Sequence, residues 1–305
     1  MSRITFDILL EAGAHFGHLK RKRNPAMSPY IYKEHNGIHL IDLHKTVMQV
    51  DKAADALKQI AKSGKDILFV ATKKQAQQIV SEKAASVEMP FVIERWPGGM
   101  LTNFPTIRKA VRKMETIKTQ QVDGTFKNLS KREKLQIERK QAKLEKNLGS
   151  IAKMQRIPSA LFVVDVLKEN IAVREANRLG IPVFGIVDTN SNPKEINFVI
   201  PANDDSAKAI EVILGACCEA IAEGRNEYKI ERADNANANK DDDAPRRSGL
   251  RPKTGKRKVA RENEEAVEAV EVAVPAVDAA PAPVVEEVAP VEEKVEAAAK
   301  EATKE

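Results

Sequence analysis

Three kinds of residue in this chain have the type and spacing for chemistry: carboxylates that follow apolar runs, histidines near the N-terminus, and clusters of lysine and arginine. The carboxylates come at Asp165, at Asp188-Thr189-Asn190 and at Asn203-Asp204-Asp205. Open α/β sheets bind ligands beyond the carboxyl ends of their strands. Asp188 with Asp204 or Asp205 is therefore placed to hold a divalent ion. Helix caps and turn acids account for the same residues more simply, because Asp204 and Asp205 directly precede a helical segment. All five histidines fall between His15 and His44. His15-Phe16-Gly17-His18, with His35 and His39, offers imidazoles for zinc, but no cysteine is near and the ligands would have to converge from an arm and a strand. Contact with RNA or a partner, and plain structural roles, are the other readings.

The parts of an enzyme do not assemble. No G-x-G-x-x-G follows a strand and no G-x-x-x-x-G-K-[ST] is present. Gly98-Gly99 reads as a sharp turn, since glycine reaches backbone angles closed to other residues. No Ser/His/Asp or Cys/His arrangement can be built. Cys217 and Cys218 are adjacent, which excludes a disulfide framework and suits small buried residues in a reducing compartment. No cofactor and no small-molecule substrate are expected.

The basic clusters carry more. Lys20-Arg21-Lys22-Arg23 lies in a His-, Lys- and Pro-rich stretch, with Tyr30, Tyr32 and Lys33 following. Lys73-Lys74 sits just past a strand. Arg95-Trp96 leads into Arg108-Lys109 and Arg112-Lys113, spaced i, i+4. Lys131-Arg132 and Arg139-Lys140 come later. From Asn103 to Arg156 there are 15 basic and five acidic side chains, a net charge of +10. A solvated face needs no such excess, so a polyanion is the expected partner. Spread cations with few aromatics suit recognition of an RNA backbone better than stacking on single strands.

The elements that must position these residues follow from periodicity. Apolar runs at 39–43, 67–72, 91–95, 160–165, 182–188 and 197–201 read as strands, most of them covered on both faces. Helical segments at 44–62, 74–87 and 168–179 alternate with them, which implies a mostly parallel sheet. A short helix is expected over 4–12, an extended arm over 14–37, and a closing helix over 205–224 that stops at Gly224. The basic stretch reads as an inserted antiparallel helical hairpin. Asn103 caps its first helix, Gly124 breaks it, and Ser130-x-x-Glu133 starts the second. The two stripes, Ile107, Val111, Met114 and Ile117 against Ile137, Leu144, Leu148 and Ile151, form a coiled coil. The expected organisation is an α/β domain of residues 1–102 and 157–224, a hairpin of residues 103–156, and a disordered, charge-segregated tail of residues 225–305. In that tail, 246–261 holds eight bases and no acid, and 262–305 holds 13 acids and three lysines. No apolar run is long enough to span a membrane, and a cytoplasmic protein is expected.

Ala12-Gly-Ala-His-Phe-Gly-His18, Asn24-Pro25, Arg95-Trp-Pro-Gly-Gly-Met-Leu-Thr-Asn103, Val187-Asp-Thr-Asn190 and Ile200-Pro-Ala-Asn-Asp-Asp205 together resemble, in order over residues 4–224, the bacterial small-subunit ribosomal protein S-two family. Ala202, Ser191-Asn192, Pro97 and Leu19 depart from its usual pattern, and none of them removes a basic cluster. The resemblance implies a flavodoxin-like sheet with an inserted coiled coil. It also implies a non-enzymatic place in translation on the small (30S) subunit, bound to 16S rRNA beside neighbouring proteins, and a part in anchoring ribosomal protein S-one. The contact residues then expected are Lys20, Arg21, Lys22, Arg23, Lys33, Lys73, Lys74, Arg95, Trp96, Asn103, Arg108, Lys109, Arg112, Lys113, Lys131, Arg132, Arg139 and Lys140.

Overall fold

The structure, a computed structural model, describes residues 3–122 and 130–241. In chain order these form α1 (Phe6–Glu11), β1 (Phe16–Leu19), β2 (Ile31–His35), β3 (Ile38–Ile41), α2 (Leu43–Lys62), β4 (Ile67–Val70), α3 (Lys74–Ser86), β5 (Phe91–Val92), α4 (Phe104–Val122), α5 (Lys131–Leu148), β6 (Ala160–Val164), α6 (Asn170–Arg178), β7 (Val183–Val187), β8 (Phe198–Pro201) and α7 (Ala207–Asp241).

Five strands make a parallel sheet in the order β5-β4-β6-β7-β8. Counted from β4, that is the 2-1-3-4-5 order of a flavodoxin-like sheet. The central strands are buried along their whole length, and alternate residues feed two cores. Phe69, Phe162 and Phe184 face α1, α2, α3 and α7. Leu68, Val70, Leu161 and Val163 face α6 and the root of the hairpin, where Val111, Leu148 and Ile151 pack.

Two expectations change. The run at 39–43 is not a strand of the parallel sheet. β3 pairs antiparallel with β1 and β2 in a separate three-stranded sheet, order β1-β3-β2, so part of the stretch read as an extended arm is itself strand. The alternating burial of β3 fits a strand with one wet face, whereas β4, β6 and β7 are buried throughout. The small sheet is strapped to the ends of β7 and β8. Thr189 O accepts the Asn24 N–H at 2.8 Å, and Ala14 O accepts the Asn203 N–H at 3.0 Å.

The closing helix also does not stop at Gly224, because α7 runs on to Asp241. A ladder of ion pairs holds its extension to α2: Lys58 with Glu223 (3.1 Å) and Glu227 (2.9 Å), Lys62 with Glu227 (3.2 Å) and Glu231 (3.0 Å). Arg225 donates to the carbonyls of Val87 (2.8 Å) and Glu88 (3.2 Å) at the end of α3. Gly224 is buried where α7 crosses α2. A Cβ there would meet Lys58 O, and would lie 3.1 Å from both Ala61 Cβ and Lys62 N. The glycine serves a close helix contact rather than a helix end. The rest of the expected tail, and Gly124, lie outside the described residues.

Candidate nucleic-acid interface and the acidic crevice

The hairpin forms as its sequence dictates. Ser130 Oγ accepts the Glu133 N–H, and the Glu133 carboxylate accepts the Ser130 N–H at 3.0 Å, a complete capping box. Asn103 uses its side chain differently from the expected cap: its Oδ1 accepts the Thr106 hydroxyl at 2.9 Å. The helices run antiparallel, since Arg108 meets the 152–154 segment while Lys118 pairs with Glu145 at 2.6 Å. Val111, Met114, Ile117 and Leu148 are buried in the stripes, with Ile107, Ile137 and Leu144 half-buried.

That stripe turns the cations outward. Lys109, Arg112, Lys113, Lys131, Arg132, Arg139 and Lys140 are exposed and, among the described residues, have no ion-pair partner. Arg21, Lys22, Lys74 and Arg95 are likewise exposed. Lys20 pairs with Glu34 at 3.0 Å at the surface, where solvent weakens the pair. Arg23 donates to the Ser28 hydroxyl, and the Lys33 ammonium lies 5.9 Å from the Tyr32 ring centre.

Three expected contact residues make bonds within the protein. Trp96 is buried, and its indole N–H donates to Glu175 at 3.1 Å. Arg108 is half-buried and donates to the carbonyls of Ala152 (3.2 Å) and Met154 (2.9 Å). Lys73 reaches over the strand ends to Asp204 (2.8 Å) and Asp205 (2.6 Å), with Asp165 at 3.8 Å. Burial works against its charge, but these carboxylates prevail and hold its pKa above the usual lysine value. A sequence reading counts Lys73 and Lys74 as one cluster. The first faces inward before α3 and the second faces solvent.

The strand-end acids do converge. His18 Nδ1 lies 2.8 Å from Asp188 Oδ2, and the His18 N–H donates to Thr189 Oγ1 at 2.8 Å. The Asp188 hydrogen bond raises the imidazole pKa against the effect of burial. Asp204 is fully buried and one of its oxygens, Oδ2, has no partner. Burial, then the neighbouring Asp188 and Asp165 charges, push its carboxyl up to about 7, while Lys73 pulls the other way. His18, Asp188 and Asp204 present ligand atoms within 4.8 Å of one another, a donor set that fits a cation. Asp205, the third expected acid, pairs with Lys73 on the rim. The capping explanation of Asp204 and Asp205 fails, since Ser206 Oγ takes the Ala209 N–H of α7. The sequence missed His18 as Asp188's partner, because only the fold of β1 over the end of β7 brings them together.

The other histidines scatter. His15 lies against Phe16 and His44 stacks on Phe6, while His39 is buried with both ring nitrogens unpartnered. Cys217 and Cys218 are buried free thiols raised by desolvation, as expected of apolar filling. Among the described residues no helix is long and apolar enough to cross a membrane.

The family described as ribosomal protein S2 matches residues 9–224. The chain is 70% identical to the small ribosomal subunit protein uS2 of Phocaeicola vulgatus over 269 residues, covering 88% of this chain and 95% of that one. It is 71% identical to the uS2 of Porphyromonas gingivalis over 232 residues, covering 76% and 83%. Coverage of 88% carries the similarity past residue 224, where the family match ends.

Proposed function

Since the chain belongs to the ribosomal protein S2 family, we propose that it holds 16S rRNA through the exposed cations of its N-terminal strap and its hairpin. As a member of that family it is a structural constituent of the small ribosomal subunit and works in translation; it is not an enzyme. The observation that supports the rRNA contact is the segregation of charge on the hairpin. Its apolar stripes are internal, and Lys109, Arg112, Lys113, Lys131, Arg132, Arg139 and Lys140 stand in solvent without acidic partners among the described residues. Cations so arranged release counterions from a phosphate backbone and position the protein without reading bases. Arg21, Lys22, Lys74 and Arg95 are exposed as well and add to the available cations. Lys73 and Trp96 support the fold from within, and Arg108 braces the root of the hairpin.

The test is occupancy. Replacing Lys109, Arg112, Lys113, Arg139 and Lys140 by Glu should strip the protein from small subunits in co-sedimentation. Unchanged occupancy would refute the reading.

Family membership also supports a part in anchoring ribosomal protein S-one. Subunits reconstituted without this chain should bind less S-one, and undiminished S-one would remove that part of the proposal.

A further inference from the structure

The root of the hairpin carries a cleft that a count of exposed charges overlooks. It has a volume of about 490 Å³ and is lined by Phe104, Pro105, Arg108, Lys109, Arg112 and Gln155. Three of those six side chains are cations and none is an acid. Lys109 and Arg112 are exposed and unpaired among the described residues.

Arg108 differs from the other cations of the hairpin in being fixed. Its Nη1 donates to Ala152 O at 3.2 Å and to Met154 O at 2.9 Å. A guanidinium has five N–H donors in a planar fork, so these two bonds use one nitrogen and set the plane. The opposite edge, Nε–H with Nη2–H, has no partner among the described residues. That edge matches the two oxygens of a phosphate, and a fork already held in place loses little freedom on binding. An ordinary surface arginine must be immobilised when it binds.

We propose that this cleft is a built site for an RNA backbone phosphate, gripped by the free edge of Arg108 and flanked by Lys109 and Arg112. The inference rests on the rRNA-binding reading above and sharpens it. Arg108 acts as ligand and brace together: one nitrogen ties α4 to the 152–154 segment, and the other edge meets the phosphate. The RNA is therefore held firmly at the hairpin's root and loosely along its length.

The test uses the full chain and a 16S rRNA transcript, with affinity measured at several salt concentrations. Gln155→Glu puts a carboxylate in the cleft without touching the bonds from Arg108. Gln136→Glu makes the same charge change on the exposed face of α5. Gln155→Glu should weaken binding about tenfold and Gln136→Glu much less, the size expected when a charge-assisted contact is lost. Equal effects overturn the cleft. Arg108→Lys keeps the charge and loses the fork. It should bind more weakly with an unchanged salt slope, and affinity equal to that of the unsubstituted protein would also overturn the proposal. If that protein does not bind the transcript at all, the rRNA-binding reading itself fails. If it binds and the two glutamine variants agree, only the cleft fails.

Discussion

The indole N–H of Trp96 donates to Glu175 Oε1 at 3.1 Å, tying the lead-in of the hairpin to a helix 79 residues later. The same carboxylate accepts the N–H groups of Gly99 (2.8 Å), Leu101 (2.9 Å) and Thr102 (3.2 Å) and the Thr102 hydroxyl (3.3 Å). Burial pushes this carboxyl up, but the donors outweigh it and hold its pKa below the usual glutamate value. A depressed carboxylate stabilises the fold above its unfolded pKa, and that support fades as pH falls through the folded value. The loop from Trp96 to Thr102 thus hangs on one side chain of α6.

Glu175→Gln should cost about 2–3 kcal/mol, because an amide NH2 would face backbone donors that already need an acceptor. Denaturant midpoints at pH 7 measure this. A midpoint within error of the unsubstituted protein would show that Glu175 is dispensable.

Gly224→Ala should destabilise by about 1–3 kcal/mol through overpacking. The new methyl would meet the Lys58 carbonyl and Ala61 of α2, neither of which is a flexible chain end. Alanine is the better helix former by about 1 kcal/mol, so a gain in melting temperature would mean that α2 and α7 are less tightly apposed than described.

Lys73→Met and Lys74→Glu should separate stability from RNA binding. Removing Lys73 leaves Asp165 and Asp204 buried without their cation, a loss of about 3–5 kcal/mol. Lys74 is exposed, so its reversal should leave melting nearly unchanged and weaken rRNA binding. The reverse pattern would refute the assignment of the two lysines.

Acid should loosen the ladder between α2 and α7. Hydrogen bonds from Arg3 and Lys58 pull the Glu223 carboxyl down to about 2. Its folded pKa is therefore depressed, so its contribution is present above the ordinary glutamate pKa and fades as pH falls towards 2. The pair is exposed and salt weakens it. Glu223→Gln should melt lower than the unsubstituted protein at pH 6 in low salt, and the gap should close near pH 2. A gap that persists there would exclude ionisation as the cause.

The parallel sheet was legible because β4, β6 and β7 are continuous apolar runs, and the hairpin because Ser130 and Glu133 spell out their own cap. β3 misled, since Ile38–Ile41 is too short to reveal which sheet it joins, and strand pairing is a tertiary choice. Gly224 misled for a similar reason. A glycine after an apolar helix reads as a stop unless the partner helix is known, and here the partner is α2. Composition locates the cation clusters but cannot tell Lys73 from Lys74. That distinction belongs to the ring of Asp165, Asp204 and Asp205, which the ends of β6 and β8 bring together. His18 and Asp188 are 170 residues apart, and nothing local announces their contact.

The hairpin takes the place of the crossover helix that would otherwise carry the chain from β5, at the sheet edge, past β4 to β6. Val111, Leu148 and Ile151 seal the face beneath it. Cutting the whole hairpin back to a short loop would therefore unroof the sheet. Matched deletions from both helices beyond Ile117 would leave the roof intact and shorten only the overhang, by about 1.5 Å per residue in each helix. The reach of the hairpin is thus adjustable in a way that the α/β body is not, like the boom of a crane whose pivot is cast into the base.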